Sequence, residues 1–156
     1  MDNIKTIHLD DATMDFAEEL AKILNEDTKL QNALGSTKIK TTGNEFITSC
    51  KEWALSRNAD MFIIVLNRHA IGTISLSHKD LDSHKAQIGY WICSNYWGNG
   101  YASQAFSEVL SFARRKGIAY VSASIVENNV ASRRIWEKNS ANLQLNNNRY
   151  HVSIYL

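Results

Sequence analysis

The period of the apolar positions changes several times along the chain, and each change marks an element. Ile4, Thr6 and His8 alternate with Lys5, Ile7 and Leu9, as along a strand. Phe16, Leu20, Ile23 and Leu24 then recur at helical spacing, with Asp10 or Asp11 placed to cap that helix. A second helix is predicted from about Thr42 to Ser56, with Phe46, Cys50, Trp53 and Ala54 on one face. The nearly continuous run "DMFIIVLN" then reads as a buried strand. "AIGTISLSH" is its hairpin partner after a turn at "RH", and "AQIGYWIC" is a third strand beyond the polar loop "KDLDSHK".

From Ala102 the positions Ala105, Phe106, Val109, Leu110 and Ala113 mark an amphipathic helix that ends in "RRKG", with Gly117 as its stop. "IAYVSASIV" is again a strand, "NVASRRIWEKN" a short helix, and "ANLQLNNNRYHVSIYL" a terminal hairpin about Asn146 to Asn148. The predicted order is β-α-α-β-β-β-α-β-α-β-β. Antiparallel hairpins flank one right-handed strand-helix-strand crossover, Ala86 to Val126, whose strands run parallel. This is a layered α/β fold with a mixed sheet, read as a single domain over residues 1–156.

Composition narrows the function classes. The chain is 44% hydrophobic and 21% charged, with a formal net charge of +1, so it lacks the basic signature of a nucleic-acid or anionic-membrane binder. The two cysteines, Cys50 and Cys93, have no metal-type spacing and read as reduced thiols. No signal-like or membrane-spanning apolar run is present, so a cytoplasmic location is the expectation. There is no proline, which leaves every turn to Gly, Asn, Asp or Ser.

Two constellations carry chemistry. In "YWGNGYASQAF", Gly98 and Gly100 stand where the crossover strand becomes the crossover helix. Backbone N–H groups at a helix start lack intrahelical partners, and a glycine loop lets several converge on one anion. No P-loop lysine follows, and G-x-G-x-A is too short for the dinucleotide fingerprint. The loop is therefore either a metal-free diphosphate cradle or a plain structural turn. In "VENNVASRRIWEKN", Asn129, Ser132 and Trp136 share one helix face. They form either a polar site wall or an N-cap, a neutral helix residue and a core anchor.

"IGYWICSNYWGNGYASQAF" followed by "ENNVASRRIWEKN" resembles the GNAT family of N-acetyltransferases, in the branch typified by RimJ and RimL. The likeness is dense from Ile88 to Lys138. It implies a GNAT-like, mostly antiparallel sheet whose central parallel strands splay, with helices on both faces. It also implies acetyl-CoA as cofactor, an amine acceptor (a protein N-terminus or a small molecule) and no metal. Trp97, Gly98, Asn99, Gly100, Tyr101, Ala102 and Ser103 then form the loop whose amides hold the CoA pyrophosphate. Trp91, Ile92 and Cys93 offer backbone to the pantetheine arm in the manner of an added strand. Asn129, Ser132 and Trp136 line the cofactor's thiol side.

Three departures from the family pattern follow. Trp97 replaces an Arg or Gln of the broader motif. Trp136 stands where many members have a Tyr that protonates the leaving thiolate, so Ser132 is expected to take that role by hydrogen bonding to sulfur. The glycine that usually ends the last helix is absent, and Asn139 or Ser140 must make that turn. For the general base the candidates are Glu127, at a strand end, His151, on the last strand, and a water chain; the two side chains read equally as solvated surface groups. A homodimer contact through exposed tryptophan and a non-catalytic CoA-binding module are the open alternatives.

Overall fold

The computed structural model describes residues 3–36 and 38–156. Seven strands form one sheet: β1 (Ile4–His8), β2 (Asp60–Leu66), β3 (His69–Asp80), β4 (Lys85–Ile92), β5 (Tyr120–Val126), β6 (Asn142–Asn146) and β7 (Arg149–Tyr155). Their spatial order is β1-β2-β3-β4-β5-β7-β6. Every neighbouring pair is antiparallel except β4 and β5. That exception is the predicted crossover, carried by helix α4 (Tyr101–Arg115).

Two apolar layers hold the helices on opposite faces. Ile88 and Ile92 of β4, Val121 and Ile125 of β5 and Val152 of β7 pack against Phe106, Val109 and Leu110 of α4. Ile135 and Trp136 of α5 (Val130–Lys138) join the same cluster. On the other face Ile63 and Val65 of β2 meet Leu20 and Leu24 of α1 (Met14–Glu26) and Phe46 and Cys50 of α3 (Gly43–Ser56). The alternation of a strand's side chains is what lets one sheet feed both layers.

Several local expectations are corrected. Helix α1 is capped by Thr13, whose hydroxyl accepts from the Phe16 N–H, while Asp10 and Asp11 lie in a preceding 3-10 turn. A short helix, α2 (Thr28–Leu34), was not anticipated; seven residues are too few to show a period. The β2–β3 turn is Asn67–Arg68, with φ of 48° and 68°, the left-handed pair that a two-residue hairpin needs, and His69 already pairs with Leu66. The last hairpin turns in the same way on Asn147 and Asn148. Ser140 takes the left-handed position after α5 (φ 59°). Ala141 N–H returns to the Trp136 carbonyl and Ser140 N–H to that of Glu137, so serine completes the turn usually given to glycine.

Candidate active site

The parallel pair is joined only at its start. Lys85, Ala86 and Gln87 pair with Tyr120, Val121 and Ser122, and beyond them the strands part. A gap opens between Ile88–Ile92 and Ala123–Val126, and the loop into α4 lies beyond the β4 end of it.

The start of α4 differs from every other α-helix start among the described residues. Thr13, Asp27, Thr42 and Asn129 each accept a backbone N–H from the helix they begin. Gly100, at the same position of α4, has no side chain to do so, and no acidic residue occupies the first turn. Gly98 and Gly100 have φ of 80° and 81°, and a Cβ built on either meets nothing within 4 Å. Their conformation, not close packing, requires glycine. The result is an exposed run of uncapped N–H groups at the positive end of a fifteen-residue helix, an open cradle for an anion. A diphosphate fits such a cradle. Trp97 and Asn99 shape it from behind: the Trp97 indole donates to the Ile92 carbonyl at 2.7 Å, and the Asn99 amide to the carbonyls of Tyr96 and Trp97.

A residue missed by sequence reasoning anchors this loop. Asp27 accepts from the Ser94 N–H and the Ser94 hydroxyl, both at 2.7 Å, and from Leu30 N–H at 3.1 Å. Burial pushes its carboxyl pKa up, but the hydrogen bonds from Ser94, Leu30 and Cys93 outweigh this and leave it below the usual carboxylate value. Only the contact across 67 residues reveals the role; in the sequence Asp27 is one carboxylate among sixteen acidic side chains.

The expected backbone contacts need revision. Cys93 N–H donates to Ile71 O at 2.8 Å, which makes Ile92 and Gly72 a pair that turns its N–H and C=O away from each other. By alternation Trp91 and Cys93 turn their polar backbone toward β3. Ile88, Tyr90 and Ile92 turn theirs toward the gap, where Trp97 already occupies the Ile92 carbonyl. Of Trp91, Ile92 and Cys93, only Ile92 can offer an N–H to an inserted arm. Cys50 and Cys93 are both free and buried, and burial raises both thiol pKa values, that of Cys50 to about 11.

On α5, Asn129 is the N-cap, accepting from Ser132 N–H at 3.1 Å. Trp136 is fully buried against Phe106, with ring centroids 5.0 Å apart, so it is a core anchor and does not line the thiol side. Ser132 is half-buried and its hydroxyl lies 2.6 Å from that of Tyr90, a second residue the sequence reading passed over. Ser132, Glu127 and His151 are not linked by hydrogen bonds among the described residues. Glu127 is exposed beyond β5, with its N–H on the Asn148 carbonyl. His151 lines a cavity of about 540 Å³ with Gln87, Ser122, Ser124, Gln144 and Ser153. These side chains alternate with core residues Val121, Ile125 and Val152, so the cavity lies on the sheet face opposite α4 and α5 and begins where β4 and β5 part.

The parted parallel pair thus sets a gap in the sheet beside a helix start suited to an anion. The family described as "Acetyltransferase (GNAT) domain" matches residues 6–142, and the chain belongs to that family. Among curated relatives, an uncharacterized N-acetyltransferase, p20, of Bacillus licheniformis is 28% identical over 89 residues, 56% of this chain and 49% of that protein. An uncharacterized N-acetyltransferase, YoaA, of Bacillus subtilis (strain 168) is 33% identical over 69 residues, 44% of this chain and 39% of that protein. These matches span half or less of the relatives' length. The fold is shared with RimL, a ribosomal L7/L12 alpha-N-protein acetyltransferase solved with coenzyme A. The TM-score is 0.80 at 20% identity, covering 99% of this chain and 94% of that one. The microcin C7 self-immunity acetyltransferase MccE, solved with acetyl-CoA and AMP, gives 0.80 at 17% identity, covering 100% and 94%. No helix among the described residues is long and apolar enough to cross a membrane.

Proposed function

We propose that the protein transfers an acetyl group from acetyl-CoA to a primary amine, a protein N-terminus or a small molecule, by direct attack within a ternary complex. The observation that carries this reading is the pairing of the bare α4 start with the parted β4–β5 strands. The N–H groups from Gly98 to Ser103 would hold the pyrophosphate, and the outward N–H groups of Tyr90 and Ile92 would face the pantetheine arm and the developing oxyanion. The cofactor supplies the activated thioester. Holding amine and thioester together lowers the barrier by up to about 7–11 kcal/mol. On the opposite face His151, which lines the cavity, would take the amine's proton. Ser132 is the donor on the sulfur side.

The test is twofold. Acetyl-CoA at millimolar concentration should raise the melting temperature, and a panel of small amines and peptides with free N-termini should release thiol. No stabilisation by acetyl-CoA would overturn the reading. Stabilisation with silence across the panel would favour a CoA-binding module without catalysis, a reading prompted by the indole at Trp136, which cannot serve as an acid.

A further inference from the structure

Two hydroxyls meet beside the gap. Tyr90 lies on the half of β4 that β5 leaves unpaired and Ser132 in the first turn of α5, with their oxygens 2.6 Å apart. A hydrogen bond between two hydroxyls uses one of their two protons and leaves the other for a third atom. Which proton is left depends on which hydroxyl donates. A phenol is a far stronger acid than an alcohol, so the Tyr90 O–H is the better donor of the two and the Ser132 oxygen the better acceptor. Burial, the largest influence on Tyr90, raises its pKa and keeps the phenol protonated. The spare proton is that of the Ser132 hydroxyl.

We propose that Tyr90 is a positioning residue that fixes the Ser132 hydroxyl as a hydrogen-bond donor to the sulfur of bound CoA. This rests on the acetyltransferase reading above and names a residue it does not require. When the carbon–sulfur bond breaks, its electron pair stays on sulfur, and the Ser132 O–H stabilises that charge. The proton that completes the thiol is the one shed by the acylated nitrogen, arriving through solvent.

The experiment reads the thiol of bound CoA directly and needs no acceptor. Thiolate absorbance is followed from pH 6 to 10 for the CoA complex, with the desulfo-CoA complex of the same variant subtracted. Cys50, Cys93, the tyrosines and the charges of α5 (Arg133 paired with Glu137 at 3.0 Å, Arg134 and Lys138) are common to both complexes. The wild-type bound thiol should ionise about one pH unit below free CoA, as expected for a hydrogen bond made to the charged form. Ser132→Ala should abolish that shift. Tyr90→Phe, which keeps the ring against Phe106, should remove most of it. Combining Tyr90→Phe with Ser132→Ala should add nothing to Ser132→Ala alone. A Tyr90→Phe complex that titrates like wild type while Ser132→Ala shifts would overturn the role of Tyr90. A wild-type thiol ionising at or above the free value would overturn the donor chain while CoA binding stands. Absence of any CoA-dependent melting shift would instead strike the acetyltransferase reading.

Discussion

Helices α4 and α5 each follow a strand of the parted parallel pair, yet their first turns are built in opposite ways. At α5, Asn129 closes over the Ser132 N–H, and the turn is finished by its own sequence. At α4, Gly100 leaves the equivalent groups bare, although the helix is longer and its dipole end correspondingly open. With glycine at the cap position, such a start forgoes only about a few tenths of a kcal/mol of local stability. Of the five helices described, four follow the stability rule and one departs from it beside the gap, facing a loop whose glycines leave open space. That difference is what the proposed diphosphate site rests on.

The sharpest way to break the comparison is to give α4 a charge where α5 has its cap. Gly100→Asp tolerates the left-handed backbone better than most substitutions, because a short polar side chain visits that region. Its carboxylate would face an incoming diphosphate. One like charge about 5 Å away at an effective dielectric near 20 opposes binding by about 3 kcal/mol, on the order of 100-fold. Acetyl-CoA affinity, measured by calorimetric titration, should fall by about that factor while the protein remains folded by circular dichroism. A loss of less than fivefold would mean that the bare amides are not the anion site.

Asp27 tests what holds the cradle in place. It begins α2 and grips Ser94, so a helix on the opposite face of the sheet is tied to the base of the α4 loop. Asp27→Asn keeps the shape and removes the charge; hydrogen bonds to a charged acceptor make this a loss of about 2 kcal/mol. The folded-state pKa of Asp27 is depressed, so its contribution is fully present above its unfolded value and is lost as pH falls through the folded value. Wild type and Asp27→Asn should therefore differ by a constant amount in urea denaturation from pH 5 to 8. The gap should narrow below about pH 4, where the unfolded carboxyl begins to protonate. A gap that widened on acidification would contradict the assigned hydrogen bonds.

Much of this was legible in the sequence, for physical reasons that differ by element. Long amphipathic segments such as α3 and α4 declared themselves by period, and the crossover followed from strand-helix-strand order. The glycine loop was legible because left-handed φ leaves a compositional mark at Gly98 and Gly100. The resemblance to the acetyltransferases supplied the splay, which no local pattern encodes. What stayed hidden was relational. Asp27 and Ser94 are 67 residues apart and Tyr90 and Ser132 are 42 apart, so neither pair has any spacing signature. The sequence also could not say which backbone groups of β4 face the gap, since a shift of one residue exchanges them. That is why Trp91 and Cys93 were assigned alongside Ile92.

The smallest effect sharpens the comparison from the α5 side. If Asn129 is a cap, Asn129→Ala should cost about 1 kcal/mol, a loss of a few degrees in melting temperature for a chain of this size. Asn129→Ser and Asn129→Asp, which keep an acceptor oxygen at the same place, should recover most of it. The resemblance assigns Asn129 to the cofactor as well, and these variants separate the two roles. Under a cap, stability tracks the presence of any acceptor oxygen, and acetyl-CoA affinity follows only as far as Ser132 is displaced. Under a direct cofactor contact, Asn129→Ser would melt like wild type and still lose affinity. The hydrogen bond at 3.1 Å to Ser132 N–H favours the first outcome, because the side-chain oxygen is already engaged within its own helix.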